Sequence, residues 1–142
     1  MRATTSVLGL NRALRLCLGV KRLGLVTPYM DDVQQLIISN YQSVGIEIGA
    51  GMERHLRIER NTDIAEIGED VLDGMVEEVV RGGVEAVSTF CTNLVAAQRV
   101  DYWERKHGIP VLDTVTIVVW DMLRVLGVEA KGVEGWGMIW TR

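Results

Sequence analysis

The sequence predicts an α/β fold, a parallel sheet of about four strands flanked by helices. Short apolar runs at 23–26, 84–90 and 109–113 alternate with longer stretches whose apolar residues recur at three- and four-residue spacing. Glycine follows several of the longer stretches, as at Gly19, Gly45, Gly108 and Gly127. Polar residues cluster just after the apolar runs, as in Thr27-Pro28-Tyr29 and Cys91-Thr92-Asn93. Such alternation describes βαβ units, in which helices cover both faces of a parallel sheet.

Each element follows from local pattern. Residues 5–18 place Leu8, Leu10, Ala13, Leu14, Cys17 and Leu18 on a helix that Gly19 stops. The run 23–26, between Lys21-Arg22 and Pro28, reads as a buried strand. Asp31-Asp32 open a helix that reaches residue 43. The stretch 45–56, GIEIGAGMERHL, begins strand-like and turns glycine-rich, and 57–63, RIERNTD, reads as polar loop. A helix over 69–80 carries Val71, Leu72, Met75, Val76 and Val79 on one face. VEAVSTF is the next strand, 94–107 a helix ended by Gly108, IPVLD a strand, and 116–126 an apolar helix ended by Gly127. The tail GVEGWGMIWTR is expected to add a last short strand. With no internal repeat and no long linker, residues 1–142 form one expected α/β domain, helix 5–19 leading into 20–142.

Composition narrows the function. The chain of 142 residues is 48% hydrophobic and 24% charged, with a net charge of −4, an ordinary soluble balance without the basic, aromatic-laced surface of a nucleic-acid binder. Two cysteines make no disulfide framework, so a reduced, cytoplasmic protein is expected. Residues 1–22 carry Arg2, Arg12, Arg15, Lys21 and Arg22 and no acid; a mitochondrial presequence is the minority reading of this stretch. No run approaches the length of a membrane span. His55 and His107 have no ligand-spaced cysteine or acidic cluster beside them, so no metal site is expected. Gly49-Ala50-Gly51 lacks the lysine of a phosphate loop. The four tryptophans read as packing residues.

Ligands of open α/β sheets bind beyond the carboxyl ends of the strands. Here those ends supply Tyr29, Cys91, Thr92, Asn93 and Asp113, with Asn61 on the loop 57–63. Cys91 stands where a strand is expected to become a helix, so the amides of Thr92, Asn93 and Leu94 would face it, favouring thiolate and holding a carboxylate. A buried structural cysteine is the competing reading, and the polar neighbours tip the balance toward function. Tyr29 either aims a phenol at substrate or anchors at the surface. Asn61 alone reads as an Asx turn, and Cys17, among leucines, as core.

Together, RLGLVTPYMDDV, ERNTDIAEI, VEAVSTFCTNL and GIPVLDTVTIVVWDMLRVLGV resemble, in order and spacing, the C-terminal half of the maleate cis-trans isomerase and arylmalonate decarboxylase group of the Asp/Glu racemase superfamily. The likeness runs from about Thr4 to about Gly137, and the VTPY and CTNL segments carry most of its specificity. It implies a flavodoxin-like half of a two-half fold, with the two halves facing across a cleft. It implies Cys91 as the catalytic cysteine of the second half, Tyr29 and Asn61 as carboxylate-binding residues, and Thr92 and Asn93 as the backbone anion site. Thr4 and Thr5 match a threonine-rich segment near the crossover. The implied activity is maleate to fumarate through a cysteine adduct; arylmalonate-type decarboxylation and Asp/Glu-type racemisation are the alternatives, with no metal or organic cofactor. A non-catalytic module that binds a carboxylate or a partner chain remains a further reading. The implied ligand is a small dicarboxylate, with no nucleic acid and no membrane. The first half of the family pattern, with its own cysteine, is expected to be absent, so that a second copy or a missing half completes the cleft. Helix 116–126, apolar over much of its surface, fits that expectation.

Overall fold

The computed structural model describes residues 3–130 and 132–141. Four parallel strands form one sheet in the order β2-β1-β3-β4: β1 (Leu23–Thr27), β2 (Glu53–His55), β3 (Ala86–Thr89) and β4 (Val111–Asp113). The registers pair Leu25 with Glu53, Val26 with Thr89 and Thr89 with Asp113. Every residue of β1, β3 and β4 is buried, which explains why these strands read as unbroken apolar runs rather than alternating ones.

The helices follow the sequence signals closely. Thr5 caps α1 (Ser6–Arg12) by accepting the Leu8 amide, and the chain then widens into a π-helical turn over Ala13–Leu18 that ends at Gly19 with φ 63°. A left-handed residue there is cheapest as glycine. α2 spans Asp31–Ser43 and α4 Glu69–Arg81, each opened by two acids that complement the helix dipole. α4 buries Leu72, Met75, Val76 and Val79, each contributing roughly 1.5–3 kcal/mol relative to exposure. Val71, expected on that face, lies 42% exposed instead: although four residues before Met75, at about 100° per residue it falls about 90° from the middle of the stripe formed by the other four, at its edge. Gly24 makes the close packing of α4 on β1 possible: a Cβ there would sit 2.4 Å from Val79 Cγ1.

Three expectations are corrected. The polar stretch 57–63 is not all loop, since α3 occupies Asn61–Ala65. The segment after Cys91 does not enter a helix at once; a turn precedes a 3-10 turn at Ala97–Arg99, and α5 runs only over Val100–His107. The tail forms a 3-10 turn at Met138–Thr141 rather than a strand. It is pinned by the buried Glu104, whose carboxylate accepts the Val111 amide at 2.9 Å and the Met138 amide at 2.6 Å, holding the tail against α5 and the start of β4 instead of in the sheet.

α6 (Thr114–Leu126) packs along α1, with Gly9 facing the Ile117 carbonyl and Arg12 and Thr4 both bound to the buried Asp121. Its outer side carries the excess apolar surface the sequence suggested: Val115, Val119, Met122 and Leu126 are exposed. Trp103 and Trp120 are buried and Trp140 packs against the core, whereas Trp136 is 43% exposed and lies outside the buried core. Cys17 is half-buried against the core. Among the described residues no helix is long and apolar enough to cross a membrane.

Candidate active site

The strand order sets the site. The chain leaves β1 for β2 on one side and returns to β3 on the other, so the carboxyl ends of β1 and β3 flank the switch point where such sheets open a crevice. The ladder continues one step beyond β3, with the Phe90 amide donating to the Val26 carbonyl at 2.8 Å. Tyr29 and Cys91 therefore emerge side by side from neighbouring strands, with the thiol next to the phenol. Burial, and then the adjacent Cys91, push the Tyr29 phenol well above its ordinary value. It is a protonated donor at neutral pH.

Cys91 is 6% exposed and sits on a turn, not on a helix N-terminus. The helix-dipole argument drawn from sequence therefore fails. Its replacement is local: the Asn93 amide points at the Cys91 sulfur at 3.4 Å. The Thr92 amide has no acceptor among the described residues, and the Leu94 amide turns back to the Cys91 carbonyl at 3.4 Å. Of the three expected backbone donors, that of Asn93 is at the thiol and that of Thr92 is left without a partner among the described residues. A backbone amide on the sulfur, with an unpaired amide next to it in the chain, is suited to an anion.

Asn61 stands exposed at the first position of α3 and has no hydrogen bond to Cys91 or Tyr29. Nor does its carboxamide form the Asx turn read from sequence among the described residues, because Asn61 lies inside the helix rather than capping it. The segment leading to Asn61 is nevertheless tied to the Tyr29 loop, with the Ile58 amide on the Pro28 carbonyl at 2.8 Å.

Sequence reasoning missed the polar residues beneath Tyr29. Thr27 Oγ1 donates to Gln34 Oε1 at 2.7 Å, and Gln34 Nε2 donates to Glu53 Oε2 at 2.7 Å. His55 is not without acidic company: Nδ1 faces Glu53 Oε2 at 2.8 Å and Nε2 faces Asp31 Oδ1 at 2.6 Å. Arg57, with φ 56° the sole non-glycine of positive φ among the described residues, also reaches Asp31, at 2.8 Å. The spacing Glu53-x-His55 in a strand, which puts both side chains on one face, was the signal available. Among the described residues no group of histidines, cysteines and acids is placed to hold a metal.

A thiol beside a protonated phenol at the switch point of a parallel sheet, with the Asn93 amide on the sulfur and the Thr92 amide unpaired, defines a thiol site for a small anion. Comparison with known proteins gives that class a family. The family model described as arylmalonate decarboxylase matches residues 2–139, and the chain belongs to that family. It is 27% identical to the arylmalonate decarboxylase of Bordetella bronchiseptica over 96% of this chain and 55% of that protein. It is 25% identical to a maleate isomerase of Alcaligenes faecalis over 80% of this chain and 44% of that protein. Its fold matches that of Nocardia farcinica maleate cis-trans isomerase, solved as a cysteine-to-serine variant with a covalently bound succinylcysteine intermediate. The TM-score is 0.87 and the identity 26%, over 95% of this chain and 54% of that one. The chain thus spans about half the length of the curated relatives it matches.

Proposed function

We propose that this chain forms the second half-site of a cofactor-free, cysteine-dependent enzyme of the maleate cis-trans isomerase type, with maleate as substrate and Cys91 as the reacting thiol. The observation that carries the reading is the Tyr29–Cys91 pair beside the amides of Thr92 and Asn93. Those amides and the Tyr29 hydroxyl would bind one substrate carboxylate, and Asn61, on the segment tied to the Tyr29 loop, would close over the other. A thiolate adding to one olefinic carbon sends the π electron pair to the neighbouring carbon, where a proton is taken up and a succinyl thioether forms. Rotation about the new single bond, loss of that proton and expulsion of the thiolate give fumarate. Cys91 serves either as the adding thiol or, opposite a second thiol supplied from outside this chain, as the proton carrier. A half-length match to its relatives makes completion by a second copy or by a further half part of the proposal.

The test is mass spectrometry and proton NMR on the chain incubated with maleate. The expected result is a one-maleate adduct mapped to Cys91, or conversion of the maleate olefinic signal to that of fumarate. Cys91→Ser removes either by at least about a thousandfold with the circular dichroism spectrum unchanged. Neither adduct nor conversion, or a Cys91→Ser protein that reacts as the wild type does, overturns the reading. A second reading, arylmalonate decarboxylation, is favoured by the match to the family of that description and by the single thiol at this site. It calls for one proton donor after carbon dioxide leaves, and phenylmalonate consumption in the same assay distinguishes it.

A further inference from the structure

The polar residues beneath Tyr29 form a chain whose direction is fixed by chemistry. A carboxylate only accepts hydrogen bonds, so Gln34 must turn its amide nitrogen to Glu53 Oε2. The Gln34 oxygen is then left facing Thr27, and the Thr27 hydroxyl must donate to it, at 2.7 Å. With its proton committed, the Thr27 oxygen is free to accept, and it takes the Tyr29 amide at 3.3 Å. Pro28 has no amide hydrogen, so the Tyr29 amide is the first donor after β1 and sets where the phenol starts. At the far end His55 donates Nδ1–H to the same Glu53 oxygen, while Nε2 faces Asp31. Thr27 and Gln34 are wholly buried, which leaves no water to take over a lost partner.

We propose that Gln34, Glu53 and His55 are positioning residues for Tyr29, acting through Thr27 to hold the phenol beside Cys91. The assignment rests on the site reading above but not on maleate chemistry. Charge on Glu53 sets the direction of every donor between it and the Tyr29 amide. A neutral residue there lets Gln34 turn over and frees the Thr27 hydroxyl to rotate.

Two readouts that need no substrate test it: hydrogen exchange of the Tyr29 amide, and the rate at which iodoacetamide alkylates Cys91, mapped separately from Cys17. Thr27→Val keeps shape and loses the hydroxyl; Thr27→Ser keeps the hydroxyl and loses shape. Positioning predicts that Val speeds Tyr29 amide exchange by about tenfold or more and raises Cys91 alkylation, while Ser restores both toward wild type and β3 amides stay protected in each. Simple packing predicts the reverse order, and that order overturns the proposal. Glu53→Gln, partly exposed and nearly isosteric, must shift Tyr29 exchange in the same direction and act non-additively with Thr27→Val. It also carries the test if Thr27→Val does not fold. An unchanged Tyr29 amide in Glu53→Gln overturns the proposal. A failed maleate assay with these shifts intact removes the substrate reading alone.

Discussion

Cys91 and Tyr29 stand side by side, yet the two flanks that hold them differ. Cys91 rests on Thr89, whose carbonyl accepts the Cys91 amide at 3.1 Å and the Thr114 hydroxyl at 2.6 Å. The Thr89 hydroxyl donates to Asp113 Oδ2 at 3.1 Å, while Asp113 Oδ1 caps α6 through the amides of Val115 and Thr116. Thr89, Thr114 and Asp113 are all buried, and each polar contact closes on another inside the protein. The Tyr29 flank begins just as deeply at Thr27 and Gln34 but runs outward through Glu53 and His55 to Asp31 and Arg57, which are exposed. The thiol is therefore fixed by a static frame, and the phenol by a frame with one end in solvent. Acid and salt reach the second directly and the first only through the fold itself.

The largest expected effect tests the closed flank. Asp113→Ala removes a helix cap and leaves the Thr89 hydroxyl without its acceptor, offset in part by relief of a buried charge. A loss of about 2–3 kcal/mol is expected in urea denaturation. A loss under about 0.5 kcal/mol would mean that Cys91 is not held by this frame. The pH dependence sharpens the point. Burial raises the Asp113 carboxyl above its ordinary 3.8. A group with a raised folded value contributes stability below 3.8 that is lost as pH rises through the raised value. Asp113→Asn keeps the cap without the charge, so relative to wild type it gains stability as pH climbs from about 4 upward. Parallel curves for the two proteins would contradict the assignment.

How far the sequence could see follows the same division. The strands of the closed flank were legible as the apolar runs 84–90 and 109–113, but Asp113 read as a strand end facing a ligand, and its role as the cap of α6 was not seen. Cys91 and Tyr29 were legible as strand ends, because a parallel sheet places them there whatever the details. The turn after Cys91 was not. Leu94 to His107 has helix-compatible composition, and only the tertiary path shows that a turn at 92–94 and a 3-10 turn at Ala97–Arg99 come before α5 begins. The outward flank was least legible. Gln34 looks like one more polar residue on an amphipathic helix, and its burial depends on Glu53, nineteen positions on, arriving beside β1 in parallel register. Asn61 misled for the opposite reason: a polar stretch with asparagine reads as a turn, but Ile64 is buried beneath it and draws the segment into a short helix.

The smallest expected effect lies at the solvent end and has the opposite sign. Hydrogen bonding from His55 holds the Asp31 carboxyl below its ordinary 3.8, against the opposing effect of desolvation and with further help from Arg57. A lowered folded value gives stability that is present above 3.8 and lost as pH falls through the lowered value. Acidification below about pH 4 should therefore weaken the Asp31 end while it relieves Asp113. Asp31→Asn removes this acid-sensitive part and leaves the Asp113 response, so its melting temperature falls less steeply in acid than that of wild type. Because Asp31 and Arg57 are exposed, added salt should shrink the difference between the two proteins. If the two titrate alike at low salt, the outward flank ends at Glu53 and His55, and the contrast between a closed and an open frame reduces to a contrast in depth.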